Sequence, residues 1–269
     1  MGAVKQTVWD WRAAGNFAGG GTGSGLAVCT AAIALFVQPP TGRIASLIAA
    51  IAVALGLALV AHEMGRPLRF FRVFFHAGTS WMSREALIAP LLLATLAAAA
   101  YSGSRELTIA AGIFGAALLF VQTQMLAAAR GIAAWSLPKI VPMLFVTGLA
   151  EGAGVYLCVN VSTGVPAVAL YLILLLLLRD EYWRAYLVKL RDANARACAE
   201  LERFDLPIKI VGTMVPVALL TLGFVLPAMA PVFGAVAGIM ALITGWELRY
   251  RIVTRAGFTH GFAVPGFPT

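Results

Sequence analysis

The sequence predicts an all-α protein, a polytopic membrane bundle of eight transmembrane helices forming a single integral membrane domain over residues 1–269. Three observations predict it. The 269 residues are 61% hydrophobic and only 12% charged, about half the ~25% charged fraction of an ordinary soluble domain. The apolar residues come in runs of about twenty, the length a helix needs to cross the hydrocarbon layer and far longer than a buried strand. The mean hydropathy of +0.88 excludes a disordered chain. In such a chain the net charge of +8 is first a topology signal, so the expected partner is the lipid bilayer and not nucleic acid.

Taken in order, the spans fall near 16–37, 44–62, 86–101, 107–128, 138–159, 165–182, 208–226 and 229–247. The first follows Trp9, Asp10, Trp11 and Arg12 without a basic n-region or an A-x-A site, so it reads as an uncleaved anchor. Its run Gly19-Gly20-Gly21-Thr22-Gly23-Ser24-Gly25 does not spell a phosphate loop. Gly19/Gly23 and Gly21/Gly25 are instead spaced i,i+4, the small-xxx-small pattern of close helix contact. The third span is the shortest, with Ser83 as its expected N-cap and Glu85 in its first turn. The sixth is apolar only from Val165 to Leu178. After it, residues 183–205 read as one amphipathic cytoplasmic helix, with Trp183, Tyr186, Leu187, Leu190, Ala197, Leu201 and Phe204 recurring every three to four residues; it lies on the bilayer or on a partner.

With eight spans both termini share a side. That side holds 18 of the 20 Lys and Arg, leaving only Arg43 and Arg105 opposite. The positive-inside rule then places both termini in the cytoplasm, although basic residues that dock a partner would produce the same count.

Few ionisable groups lie at membrane depth, which makes each informative. His62 ends the second span and opens His62-Glu63-Met64-Gly65-Arg66-Pro67-Leu68-Arg69-Phe70-Phe71-Arg72. Arg66, Arg69 and Arg72 share roughly one helical face, and Trp81, Arg84 and Glu85 follow at the same depth. One reading is that the arginines snorkel to lipid headgroups and His62 caps a helix. The functional reading is a quinone site: His62, Arg66, Trp81 and Glu85 supply a titrating imidazole, hydrogen bonds, an aromatic wall and a carboxylate for the two protons. Glu151, alone in the middle of the fifth span, is either a structural carboxyl or, with Glu85, part of a proton path. Gln122 and Gln124 read as interhelical hydrogen-bond partners. Arg69, Arg72, Arg84 and Arg130 form the expected docking surface for an acidic partner.

Cys29, Cys158 and Cys198 are far apart, so no iron–sulfur cluster or zinc site is expected within the chain. The histidines are His62, His76 and His260, of which no two lie in separate spans, so bis-histidine haem is not expected either. A small proton-coupled transporter built around Glu151, and a cytochrome b-type anchor, are the competing classes.

The blocks Asn16-Phe17 leading into the glycine run, His62-Glu-Met-Gly-Arg-Pro-Leu-Arg69, Thr79-Ser-Trp-Met-Ser-Arg-Glu85, Ala129-Arg-Gly-Ile-Ala-Ala-Trp135 and Arg255-Ala-Gly-Phe-Thr-His-Gly-Phe-Ala-Val-Pro265 together resemble the membrane anchor subunit of DMSO reductase. The resemblance covers nearly the whole chain. It implies an eight-helix, haem-free, quinol-binding anchor in a bacterial cytoplasmic (inner) membrane, related to polysulfide-reductase-type anchors. The partners it implies are a four-cluster iron–sulfur subunit and a molybdopterin catalytic subunit, with menaquinol or quinone as the bound substrate; the alternative within this class is a quinone-reducing anchor of a dehydrogenase. It also implies that His62 is the quinol-site histidine and Glu85 its acidic partner.

Overall fold

The computed structural model describes residues 4–36, 42–63, 78, 80–160 and 166–259. Among these residues seven helices are long and apolar enough to cross a membrane, which makes the protein a polytopic helical bundle. Among the described residues the order is α1 (Trp11–Ala34), α2 (Gly42–Glu63), α3 (Trp81–Ser102), α4 (Arg105–Ala127), the single turn α5 (Ala133–Ser136), α6 (Ile140–Val159), α7 (Pro166–Ala193), α8 (Ala195–Glu202), α9 (Asp205–Lys209), α10 (Val215–Val225) and α11 (Ala230–Tyr250). A π-helical turn, Ile210–Met214, joins α9 to α10 in one continuous rod, and a second, Arg251–Arg255, extends α11.

The long helices form two four-membered groups. Helices α1, α2, α3 and α4 pack in a ring, as do α6, α7, α10 and α11, and the groups meet where α1 lies against α6 and α11 and α4 lies against α6. Helix α1 is the hub: 83% of its apolar window is buried, although it is the least hydropathic of the seven spans. Its glycines account for the combination. A Cβ on Gly19 would stand 2.5 Å from the Ala52 carbonyl oxygen, and one on Gly23 would stand 2.6 Å from that of Ala49, so this pair seats α2. A Cβ on Gly25 would lie 1.9 Å from the Gly148 carbonyl oxygen, and one on Gly152 2.0 Å from the Gly25 carbonyl carbon, so the opposite stripe seats α6.

Three elements differ from the sequence expectation. Helix α3 begins at Trp81, capped by Ser80, whose hydroxyl accepts from the Ser83 amide at 3.4 Å. The third span is therefore a full 22 residues, and Glu85 sits one turn deeper than a Ser83 cap would put it. Among the described residues the sixth expected span, α7, is the one long helix outside the seven, because Arg179, Asp180 and Glu181 follow directly on its apolar stretch. The predicted amphipathic helix is broken at Asn194, whose side-chain oxygen caps α8 by accepting from the Ala197 amide at 3.0 Å. The break lets α8 fold back, so the apolar stripe from Trp183 to Phe204 is buried in the protein's own core with Phe17, Leu126, Trp135 and Ile252.

At one end of the bundle the two ends of the described chain pair. Lys5 bridges Phe258 and Ile132 bridges Thr259, with the Gln6 amide donating to the Gly257 carbonyl at 2.7 Å. At the other end, Arg43 donates to the Ser102 carbonyl at 2.8 Å and Arg105 to the Leu35 carbonyl at 2.6 Å. The two basic residues that stand apart from the other eighteen thus satisfy carbonyls at the C-terminal ends of α3 and α1.

Replacing Gly25 by Ala forces α1 and α6 apart and is expected to cost about 1–3 kcal/mol of stability. Thermal unfolding of the purified protein in detergent checks this, with Gly131→Ala, where nothing lies within 4 Å of the added Cβ, as the neutral control.

Candidate functional site

Glu85 is buried against three helices. Its Oε1 accepts from Asn16 Nδ2 on α1 at 3.1 Å and from Gln122 Nε2 on α4 at 2.8 Å. The Gln122 amide lies where a Cβ on Gly20 would be, 2.2 Å from its Nε2, so the glycine run also makes room for this contact. Glu85 lines a cavity of ≈ 220 Å³ together with Val8, Trp9, Ala13, Asn16, Phe17, Val60, Met82 and Met125. Trp9 stacks on Trp135 with centroids 4.8 Å apart and tilts against Phe17 at 5.7 Å, which fixes the aromatic wall. The cavity is therefore apolar and aromatic with one carboxyl held by two amides.

His62 occupies a different place. It is exposed at the end of α2 and lines a larger cleft of ≈ 880 Å³, whose walls are Ile48, Ile51, Leu55 and Leu59 on one side and Gly15, Ala18, Gly19 and Trp246 on the other. Asp10 and Arg12, paired at 2.8 Å, also line that cleft. The Arg12 side chain holds the Asp10 carboxyl below the usual carboxylate range. His62 and Glu85 thus face separate cavities on two sides of α1 and α2, and the structure does not bring them together. Trp81 packs edge-on against Phe120, 6.1 Å between centroids, and carries the Arg84 guanidinium over its ring at 4.1 Å. Arg84 also donates to the Gly78 carbonyl at 2.9 Å. Arg130 is exposed in the turn after α4. Arg66, Arg69 and Arg72 lie outside the described residues, as do His76 and His260.

Glu151 is not the lone carboxyl that the sequence suggests. It is fully buried and paired with Arg249, Nε to Oε1 at 3.0 Å and Nη2 to Oε2 at 3.4 Å. Thr22 donates to Oε2 at 3.0 Å and itself accepts from the Trp246 indole at 2.9 Å. Space for the pair comes from glycines on three helices: a Cβ on Gly21 would meet the Arg249 guanidinium at 2.5 Å, on Gly148 at 2.9 Å, and on Gly245 would meet Glu151 Oε1 at 2.3 Å. By sequence Arg249 falls in the basic tail, because the apolar run ends near Trp246. Helical side chains point back toward the N-terminus, which carries the guanidinium down to the level of Glu151. The signal that could have found it is Gly245 with Arg249 four residues on, a small residue and a cation sharing one helix face.

A second buried arginine, Arg179, is fully enclosed and donates to the carbonyls of Gly212 and Ala241. The Gly212 carbonyl is open to it because Pro216, four residues on, has no N–H to give. Asp180 pairs with Arg184.

No family model matches the chain. It is 29% identical over 178 residues to a subunit of the sulfite dehydrogenase of Allochromatium vinosum, a match covering 57% of this chain and 55% of that protein. The chain therefore spans about half the length of the curated relative it matches.

Removing Arg249 alone leaves a buried unpaired carboxyl. Arg249→Ala is expected to cost about 3–5 kcal/mol, and the double variant Glu151→Leu/Arg249→Met markedly less. A double-mutant cycle read by thermal unfolding checks the order; equal losses in both would remove the pairing from its place in stability.

Proposed function

We propose that this chain is the quinone-exchanging membrane anchor of a multi-subunit oxidoreductase. The observation that carries the reading is the Glu85 cavity: a carboxyl inside the bundle, oriented by two amides, on the wall of an aromatic chamber. A quinone ring needs an apolar slot and a group that gives or takes protons at its oxygens. The chamber is large enough for the ring and too small for an isoprenoid tail, which would remain outside among the helices. When bound, the quinone supplies two-electron, two-proton redox chemistry; Glu85 supplies or receives a proton, and Asn16 and Gln122 hold the carboxyl still. His62, exposed at the end of α2 in the separate cleft, does not line the Glu85 chamber; its part as a second proton-handling group rests on the resemblance to the DMSO reductase anchors.

The relative's name supports membership of a redox complex. A dehydrogenase withdraws electrons from its substrate, so the likeness favours flow from the partner toward quinone; the resemblance to DMSO reductase anchors supports the opposite flow from menaquinol. In either direction the electrons are exchanged with a docked iron–sulfur subunit, itself attached to a molybdopterin subunit, and Arg84 and Arg130 belong to the docking face. We also propose that α7 makes the eighth crossing. The pairing of the two ends of the described chain supports this reading, since an even number of passes returns the chain to its starting side and seven plus α7 is even. Glu151 is the counter-ion of Arg249, which counts against a transporter built around a lone midplane carboxyl.

In membranes holding the assembled complex, Glu85→Gln is expected to lower quinone-linked turnover by about 10²-fold or more, and His62→Ala to lower it as well. Dye-linked activity of the catalytic subunit and complex assembly should persist. Unchanged quinone-linked turnover in both variants would sink the assignment, and proton flux through the chain alone in liposomes would favour the transporter.

A further inference from the structure

The Glu85 site contains a second feature that orientation alone does not need. Asn16 and Gln122 both turn their N–H groups to the same carboxylate oxygen, and both amide oxygens, Asn16 Oδ1 and Gln122 Oε1, are buried without a hydrogen-bond partner among the described residues. Buried amide oxygens are nearly always satisfied, because each one left open costs roughly 1–3 kcal/mol. Two at one site, both on groups bound to one titratable carboxyl, call for a common cause.

An ionised carboxylate is an acceptor only, and two N–H donors suit it. A protonated carboxyl carries one O–H, and neither amide as placed offers that proton an acceptor. A half-turn of one amide solves this, since it exchanges oxygen for nitrogen within the same outline and needs no new volume. The carbonyl so presented accepts the carboxyl O–H, while the other amide goes on donating. Gly20 matters here because the Gln122 amide lies across the position its Cβ would take.

We propose, resting on the reading of Glu85 as a proton-handling group, that Asn16 and Gln122 are positioning residues that exchange donor and acceptor roles as Glu85 gains or loses its proton. The device lets one buried carboxyl exist in both protonation states with its hydrogen bonds satisfied. No other titratable group competes at the site: among the described residues lining the cavity, α1 presents Ala13, Asn16 and Phe17, α2 presents Val60 and α4 presents Met125. Arg84, next to Glu85 on α3, is turned to the Gly78 carbonyl and the Trp81 ring.

The test is infrared difference spectroscopy of the full chain in liposomes on a pH step, without quinone. Unlabelled protein is compared with protein carrying ¹³C-carbonyl glutamine or asparagine side chains. Expected is the carbonyl band of a protonated carboxylic acid, lost in Glu85→Gln, rising together with a side-chain amide carbonyl change that shifts with one or both labels and is also lost in Glu85→Gln. Gln122→Met should retain the carboxyl band and lose any glutamine component. A carboxyl band with no label-sensitive amide change overturns the proposal, as does an amide change that survives Glu85→Gln or the absence of any Glu85 band. The labelled wild-type protein decides the matter even where Gln122→Met does not fold. Loss of the quinone reading is recognised separately, by quinone-linked turnover that ignores Glu85 while these bands remain.

Discussion

Everything in this bundle depends on how closely other helices can approach α1. A helix with side chains of ordinary size at positions 19 to 25 would hold its neighbours a methyl or more further away, and both buried polar sites would open. Because the stripe is glycine, α2 and α6 touch its backbone, the Gln122 amide lies over Gly20, and the Arg249 guanidinium lies over Gly21. Within lipid there is no hydrophobic gain from joining two apolar surfaces, so close packing and interhelical hydrogen bonds must carry the association. The glycine run contributes the first and makes the second geometrically possible.

The two polar sites on either side of α1 solve the same problem differently. Glu151 meets a fixed opposite charge on Arg249, with Thr22 and Trp246 completing its shell. Such a pair is costly to form and costlier to break, which suits a fixed structural joint between α6 and α11. Glu85 meets neutral amides, from Asn16 and Gln122, and borders a cavity. Among the described residues no salt bridge commits it to one charge state. The contrast separates a carboxyl that holds the bundle together from one that is available for chemistry.

The helical bundle is legible in the sequence because hydropathic runs of twenty residues form little besides membrane helices, and Gly19/Gly23 against Gly21/Gly25 already announce two contact faces. The start of the third span is less legible: Ser80 and Ser83 are equally good caps in composition, and only the backbone decides that Ser80 caps the helix and Ser83 lies inside it. The break at Asn194 is hidden because the apolar period continues through it, so one stripe serves two helices. At the site, Glu85 and His62 stand out by their rarity at membrane depth. Their separation onto two cavities is not readable, since a shared depth says nothing of which way each helix is turned. Arg249 escapes because charge counts assign a residue by where its backbone leaves the apolar run, whereas the guanidinium reaches back about a turn.

The arrangement of α1 also bears on biogenesis. The first of these helices to be made is the least apolar of the seven spans, yet its Thr22 completes the shell of a carboxyl 129 residues later in the chain, whose arginine arrives a further 98 residues on. During synthesis α1 therefore waits in the bilayer with its polar face unmatched, and Glu151 waits without its counter-ion until α11 is inserted. A chain that stops before that point lacks Arg249, and the Glu151 carboxyl is then left with the Thr22 hydroxyl as its hydrogen-bond donor.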